Sequence, residues 1–189
     1  MKRSWKLGVL ILAAILIVSA CGQFNDKQEQ GQSADPNPPA EPPQEEILTE
    51  MVELYFADQE LMALYKVERE IEVKEDADLP EAALNEWIHG PEDDSLQGIV
   101  PDTTTVKEVI VEGDLATVNF SSDIRKANVG SSGELFLLDQ LALILKQFDV
   151  NQIQILVEDE KVETLFGHIK VDEPYVYQES SSYEIKTLD

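Results

Sequence analysis

One segment of the chain is unable to join a hydrophobic core, and it limits where folding can occur. Residues 22–46 read GQFNDKQEQGQSADPNPPAEPPQEE, with five of the nine prolines and no apolar periodicity. Such a composition buries too little apolar surface to offset the conformational entropy lost on folding. We therefore predict a disordered linker over residues 21–47, which as a flexible coil spans roughly 25–30 Å.

The residues before the linker have the layout of an export signal. Three positive charges within the first six residues precede twelve consecutive apolar or glycine residues, 7–18, and the small residues Ser19 and Ala20 follow. A helix of twelve residues is ~18 Å long, well short of the ~30 Å hydrocarbon core of a membrane. The pattern predicts a secretory signal peptide over residues 1–20.

The single cysteine of the chain, Cys21, follows this segment directly. Residues 18–21, Val-Ser-Ala-Cys, resemble a bacterial lipobox. The resemblance implies cleavage before Cys21, a diacylglyceryl thioether on its sulfur, and a location at the cell membrane on the extracytoplasmic face. Two or more acyl chains, at ~0.8 kcal/mol per buried CH2, would anchor the protein firmly. The alternative is an ordinary signal peptide with an incidental cysteine. Either way, one cysteine excludes an intrachain disulfide framework.

The net charge of the chain limits the classes of partner that it can bind. Without residues 1–20 the chain loses three of its 14 Lys+Arg and none of its 38 Asp+Glu, which leaves a net charge of −27. Such a chain repels phosphate backbones, so we expect no nucleic-acid binding. It also repels anionic lipid headgroups, so membrane association should depend on the Cys21 lipid. A solvated surface is one interpretation, and a face for cations or a basic partner is the other.

Residues 48–177 remain as a single domain, followed by a polar tail at 178–189 that should be frayed. Alternating apolar residues predict a strand at 51–58 and a shorter one at 64–71. Two hairpins are predicted further on, one across 104–121 and one across 151–167, the second with an acidic turn.

Two helices separate these strands. The first has Asp78 as its predicted N-cap, Glu81 as the capping-box partner and Gly90 as a left-handed C-cap. The second has Ser131 and Glu134 at capping-box spacing. The resulting order, β-α-β-β-α-β-β, predicts an α/β fold of the α+β sandwich kind, with one mixed sheet and two helices packed on it.

Phe136 and Leu143, seven residues apart, lie in the polar half of the second helix. We predict that they belong to a contact surface for a partner, and burial by a neighbouring loop is the alternative. The two interpretations differ in solvent exposure, because a contact surface must be accessible in the free protein.

No residue set with catalytic spacing stands out, so we expect no catalytic residues, no cofactor and no metal site. The two histidines, His89 and His168, lack a zinc-binding spacing, and the chain has no Gly-x-Ser-x-Gly elbow, P-loop or dinucleotide fingerprint. The acidic runs 92–94 and 158–160 either bind calcium loosely or are solvated loops. Trp87 shares a helix face with apolar residues, which favours a place in the core.

Taken in order, the elements resemble the GerMN domain of spore germination and sporulation lipoproteins. The matching segments are VELYFAD (52–58), LYKVERE (64–70), IHGPED (88–93), IVPDTTTV (99–106), ATVNFS (116–121), LKQFDVNQIQILVEDEKVETLFG (145–167) and DEP (172–174). Two places depart from the family pattern: residues 144–146, where Thr-Leu-Thr is frequent, and Asp159, where glycine is frequent.

The resemblance implies a non-enzymatic module of the cell envelope, with a fold similar to the ring-building domains of secretion-like machines. It implies an envelope protein as partner and a role in sporulation or germination. The alternative is a surface lipoprotein that binds a small ligand, a cation or a cell-wall polymer. That alternative requires a concave pocket with convergent polar groups.

Overall fold

The computed structural model describes residues 47–74, 79–179 and 183–188, all within the second of two units, Pro43–Asp189. The predictions for Cys21, the signal peptide, most of the linker and the Asp78 cap lie outside the described residues. The described elements are β1 (Ile47–Asp58), β2 (Ala63–Lys74), α1 (Leu79–Ile88), β3 (Leu96–Gln97), β4 (Val106–Glu112), β5 (Leu115–Phe120), a 3-10 turn (Ser122–Lys126), α2 (Ser131–Lys146), β6 (Gln152–Val157), β7 (Glu160–Lys161) and β8 (Glu184–Thr187).

The first sheet has the strand order β3-β1-β2-β8 and is built on a long hairpin. β1 and β2 pair antiparallel from Ile47 opposite Lys74 to Ala57 opposite Leu64. Apolar residues alternate along β1, and Val52, Leu54 and Phe56 are buried on one face, as the period-2 pattern predicts. β3 pairs with the end of β1, while β8 pairs in parallel with β2.

The second sheet has the strand order β4-β5-β6-β7 and contains both predicted hairpins. Gly113 adopts a φ of 66° in the β4–β5 turn. Glu158 and Asp159 adopt φ values of 52° and 68° in the two-residue β6–β7 turn, the geometry of a type I′ turn. β5 and β6 pair in parallel, and α2 supplies the crossover that parallel neighbours need.

The α+β class is confirmed, but the prediction of one sheet is wrong in detail. The described strands form two four-stranded mixed sheets rather than a single one. Alternation of apolar residues identifies a strand, but it carries no information about which strand becomes its neighbour. The β1–β2 hairpin pairs with β3 and β8, and no described strand joins it to the β4–β5 hairpin.

Helix α1 packs against the core through the face that the sequence predicts. Ala83, Leu84, Trp87 and Ile88 are buried. Gly90 has a φ of 87°, and its N–H donates to the Trp87 carbonyl at 3.0 Å. The predicted left-handed C-cap is therefore confirmed, and a side chain at this position would be strained.

Helix α2 is surrounded by the rest of the domain, and this overturns two predictions. Phe136 and Leu143 are only 3% and 8% exposed, so the predicted contact surface is wrong. The capping box is wrong as well, because Gly130 is the N-cap and no side chain bonds the helix start. The Glu134 side chain points instead into the core. A helix buried on most of its circumference does not need a clear apolar stripe.

The C-terminal segment covers part of α2. Tyr183 is buried, and its ring centroid lies 4.7 Å from that of Phe136. Glu184–Thr187 then adds to the first sheet as β8. The prediction of a frayed tail over 178–189 therefore differs from the structure at residues 183–188. The tail is short and mostly polar, but it contains one aromatic residue, Tyr183, that is buried in the core.

Among the described helices, neither is both long and apolar enough to cross a membrane.

Candidate functional site

The middle of α2 carries a buried carboxylate. Asp139 is 1% exposed, and its two side-chain oxygens accept hydrogen bonds from the Tyr175 and Tyr183 hydroxyls, each at 2.5 Å. Next to it, Gln140 accepts a hydrogen bond from the Trp87 indole N–H at 3.0 Å. Burial of a polar group costs free energy unless the group is bonded, and in this pair only the Gln140 amide nitrogen has no partner among the described residues.

Burial controls the ionisation of this cluster. Loss of solvent raises the pKa of Asp139, while the two tyrosine hydrogen bonds act in the opposite direction. The pKa values of Tyr175 and Tyr183 are raised by burial and by the neighbouring carboxylate. Both phenols therefore remain protonated donors at neutral pH, and neither resembles an activated nucleophile.

An open groove of about 890 Å³ lies beside the cluster. Its walls are formed by Leu135, Asp139, Lys170, Asp172, Glu173, Pro174, Tyr175, Val176, Gln178 and Glu179. The most buried polar group at the groove is Asp139, and both of its oxygens are already occupied by tyrosines. A ligand would have to compete with those hydrogen bonds at Asp139, and the other carboxylates of the groove, on Asp172, Glu173 and Glu179, are exposed to solvent.

A second buried carboxylate organises the loop after β7. Glu134 is fully buried and accepts hydrogen bonds from the backbone N–H groups of Phe166 at 3.0 Å, His168 at 2.8 Å and Ile169 at 3.2 Å. These contacts join α2 to a segment more than thirty residues away in sequence. The role of Glu134 is therefore to hold the fold together.

The residues considered for metal binding or catalysis do not converge. The described residues contain no group of three or more His, Cys, Asp or Glu side chains that could hold a metal ion. His89 is exposed and lies 3.4 Å from Glu86. In the acidic β6–β7 turn, Glu158 and Asp159 lie 3.0 and 3.1 Å from the Lys107 ammonium. These acids thus have a cation of the same chain as their partner.

Exposed apolar side chains lie at the start of β1. Ile47 is 62% exposed and Met51 is 59% exposed, and Leu48 beside them is also exposed. β3 covers β1 only at Ala57 and Asp58. We call the side of residues 47–51 that faces away from β2 the open edge.

The described domain is thus an α+β module whose buried charges serve the fold and whose exposed apolar residues include Ile47 and Met51 at a strand edge. The chain belongs to the Germane family, whose description is "Sporulation and spore germination". The sequence pattern of this family matches residues 53–163. This confirms the resemblance to GerMN domains.

Solved structures agree with this assignment. A candidate lipoprotein from Clostridium perfringens is 26% identical, with a TM-score of 0.50, covering 68% of this chain and 87% of that one. The tandem GerMN domains of the sporulation protein GerM from Bacillus subtilis are 19% identical, with a TM-score of 0.53, covering 69% of this chain and 46% of that one. The first GerMN domain of the same protein has a TM-score of 0.50 at 19% identity, covering 64% and 92%. The GerM structures support the fold alone. No curated protein sequence matches the chain.

Sequence reasoning missed the two buried carboxylates and the open edge. Asp139 and Gln140 interrupt the apolar run LFLLDQLALIL, and a polar pair inside such a run indicates internal hydrogen bonding. The open edge has no comparable signal, because strand pairing decides which edge stays free.

Proposed function

We propose that this protein is a non-enzymatic module, anchored by lipid on the extracytoplasmic face of the cell membrane, that acts in sporulation or germination by binding an envelope protein. The observation that carries the binding role is the exposure of Ile47 and Met51 on a strand whose outer side is uncovered. Exposed apolar residues that lie together are a feature of protein–protein interaction sites.

The lipid anchor is supported by the sequence around Cys21 and by the likeness to a candidate lipoprotein. A diacylglyceryl group at Cys21 would hold the chain at the membrane, and the linker would let the domain reach a partner at roughly 25–30 Å. Membrane association is then independent of the acidic domain surface.

Fractionation of cells that express Cys21→Ser tests the anchor. We expect the variant to be released from the membrane or to accumulate as an unprocessed precursor, whereas Ser19→Ala, a small-for-small control beside it, stays processed and membrane-bound. A Cys21→Ser protein that is still processed and still sedimenting with membranes contradicts the anchor.

Crosslinking on native membranes tests the interaction role. The parent chain should yield a defined envelope-protein adduct at the stage when spores form or germinate, and loss of the protein should impair that stage. An unimpaired deletion strain with no adduct contradicts the proposal.

Ligand binding is the second candidate, and the groove of about 890 Å³ beside Asp139 is the feature that favours it. Thermal shift measurements with cell-wall fragments and divalent ions decide between the two. We expect no shift, because the buried carboxylate at the groove, on Asp139, is already bonded to Tyr175 and Tyr183. A saturable shift that Tyr175→Phe removes would make ligand binding the better description.

A further inference from the structure

The side chain of Gln147 shows which backbone groups of β1 face outward. Its amide nitrogen donates to the Glu53 carbonyl at 2.8 Å, and its oxygen accepts from the Glu53 N–H at 2.9 Å. One side-chain amide thus makes both hydrogen bonds that a neighbouring strand would make. Backbone groups alternate sides along an antiparallel strand, so those of Ile47, Thr49 and Met51 face the same way as those of Glu53.

The open edge lacks any covering element in the described part of the chain. Beyond Glu53 toward the start of β1, the outward groups of Thr49 and Met51 have no hydrogen-bond partner among the described residues. Unpaired edge groups of this kind are a template for pairing with another strand.

A second edge strand, β4, is protected in ways that β1 is not. β4 has a register irregularity between Val106 and Glu108, and the intervening Lys107 carries a charge. Bulges and lysines are the usual devices that discourage edge pairing. Residues 47–53, ILTEMVE, contain neither lysine nor proline, and their pairing with β2 is regular throughout.

The charge around the open edge selects the kind of partner. Residues 47–53 and 68–74 together carry five acidic and two basic side chains, and one of the two, Arg69, points inward to Glu86 at 2.8 Å. Glu70 and Glu72 stand opposite Met51 and Thr49 on β2. A second copy of a chain with net charge −24 would be repelled here, whereas a basic strand would be attracted.

We propose that the open edge binds an extended basic segment of a partner protein, which joins the first sheet as an additional strand beside β1. The partner backbone would bond Thr49 and Met51, its Lys or Arg side chains would lie on the face of Glu70 and Glu72 with their stems against Met51, and its apolar residues would contact the exposed Leu48 on the other face. This inference rests on the proposed function, because it states how the envelope partner is recognised.

Amide exchange measured by NMR tests the pairing directly, on the full mature chain carrying Cys21→Ser for solubility. The probe is a short peptide of alternating Lys and Val, and its matched control has Glu in place of Lys. In the free protein the Thr49 and Met51 amides should exchange quickly, while the Glu50 amide, which faces β2, is protected. The Lys-Val peptide should slow exchange at Thr49 and Met51 and leave Val111 on β4 unchanged. Equal protection by the Glu-Val peptide overturns the charge selection.

Two substitutions at one position separate backbone from side-chain effects. Thr49→Pro removes an outward N–H without removing a bond to β2, so the melting temperature should hold while peptide affinity falls about tenfold. Thr49→Val keeps the N–H and should bind like the parent. Unchanged affinity in Thr49→Pro overturns the inference. Dimerisation that Thr49→Pro abolishes also overturns it, because a second copy is then the occupant.

Different experimental results would contradict this inference and the proposed function. If Thr49→Pro retains the envelope-protein adduct seen on native membranes, the interaction role stands and edge pairing is wrong. If the parent forms no adduct but binds the Lys-Val peptide as described, edge pairing stands and the proposed envelope role fails.

Discussion

Helix α2 and the open edge of β1 satisfy their polar groups in opposite ways. Along α2, Glu134 and Asp139 are buried, and every oxygen of their carboxylates is bonded within the chain. At the open edge, backbone donors and acceptors face outward beside exposed apolar side chains. The difference separates two tasks: the surroundings of α2 stabilise one fold, and the open edge is available to another molecule.

Truncation of a core side chain should show the largest contrast between the two regions. Leu141→Ala removes a fully buried leucine of α2 and should lower the free energy of unfolding by about 3–5 kcal/mol. Met51→Ala, its matched counterpart at the open edge, should cost less than about 0.5 kcal/mol. Urea unfolding of the full mature chain measures both. Similar losses in the two variants would break the comparison.

Removal of the Glu134 carboxylate should have the next largest effect. Glu134→Ala leaves three backbone N–H groups of residues 166–169 without their acceptor and should cost about 3 kcal/mol. Glu134→Gln keeps one acceptor oxygen and nearly the same volume, so it should cost less. Hydrogen exchange at residues 166–169 provides a local readout. Unaltered protection of those amides in Glu134→Ala would contradict this role.

Loss of one tyrosine hydroxyl should have a smaller effect. Tyr183→Phe removes a hydrogen bond to the buried Asp139 and should cost about 2 kcal/mol. Tyr55→Phe is the control, because its hydroxyl makes a longer bond of 3.3 Å to the half-exposed Glu53, and should cost less than about 0.5 kcal/mol. The double variant Tyr183→Phe/Asp139→Asn should lose less than the sum of its parts. Strict additivity would show that the two groups are uncoupled.

The pH dependence of stability is the last test of this comparison. It should show the smallest change in the free energy of unfolding. Burial raises the pKa of Asp139, so the folded state binds a proton more tightly than the unfolded state. The resulting stability is complete below the unfolded pKa and is lost as the pH rises through the folded pKa. Relative to Asp139→Asn, the parent should therefore gain stability as the pH falls between those two values.

The measurement is the difference in urea midpoint between parent and Asp139→Asn at neutral pH and at about pH 4. Glu158 has its pKa lowered by the Ser122 backbone N–H and by Lys107, so it changes stability in the opposite direction. That effect is present in both proteins and cancels in the difference. A parent that loses stability faster than Asp139→Asn on acidification would show that the sign is wrong.

The sequence was sufficient for the local structure and insufficient for the packing. Alternation placed β1 and β2, and Gly90 placed the end of α1, because these signals act over a few residues. The assignment of Phe136 and Leu143 to a contact surface failed because it treated α2 as a helix with one buried face. Tyr183, from a tail with no apolar pattern of its own, covers Phe136, and a local pattern cannot reveal such a distant partner.

The candidate site shows the same limit. Sequence reasoning missed the burial of Asp139, because its two tyrosine partners lie 36 and 44 residues away. The open edge depends on the shortness of β3 and on the position of Gln147, which are properties of the assembled sheet.

The two tyrosine hydrogen bonds to Asp139 also depend on the order in which the chain is synthesised. Ribosomes deliver residues from the N-terminus, so α2 is complete before Tyr175 and Tyr183 exist. Until residues 175–183 have been made, the Asp139 carboxylate has neither phenol and Phe136 lacks its aromatic cover. A product truncated before Tyr183 would expose both defects at the centre of α2 and be open to proteolysis. The hydrogen bonds to Asp139 and the cover over Phe136 are therefore complete only after Tyr183 has been made.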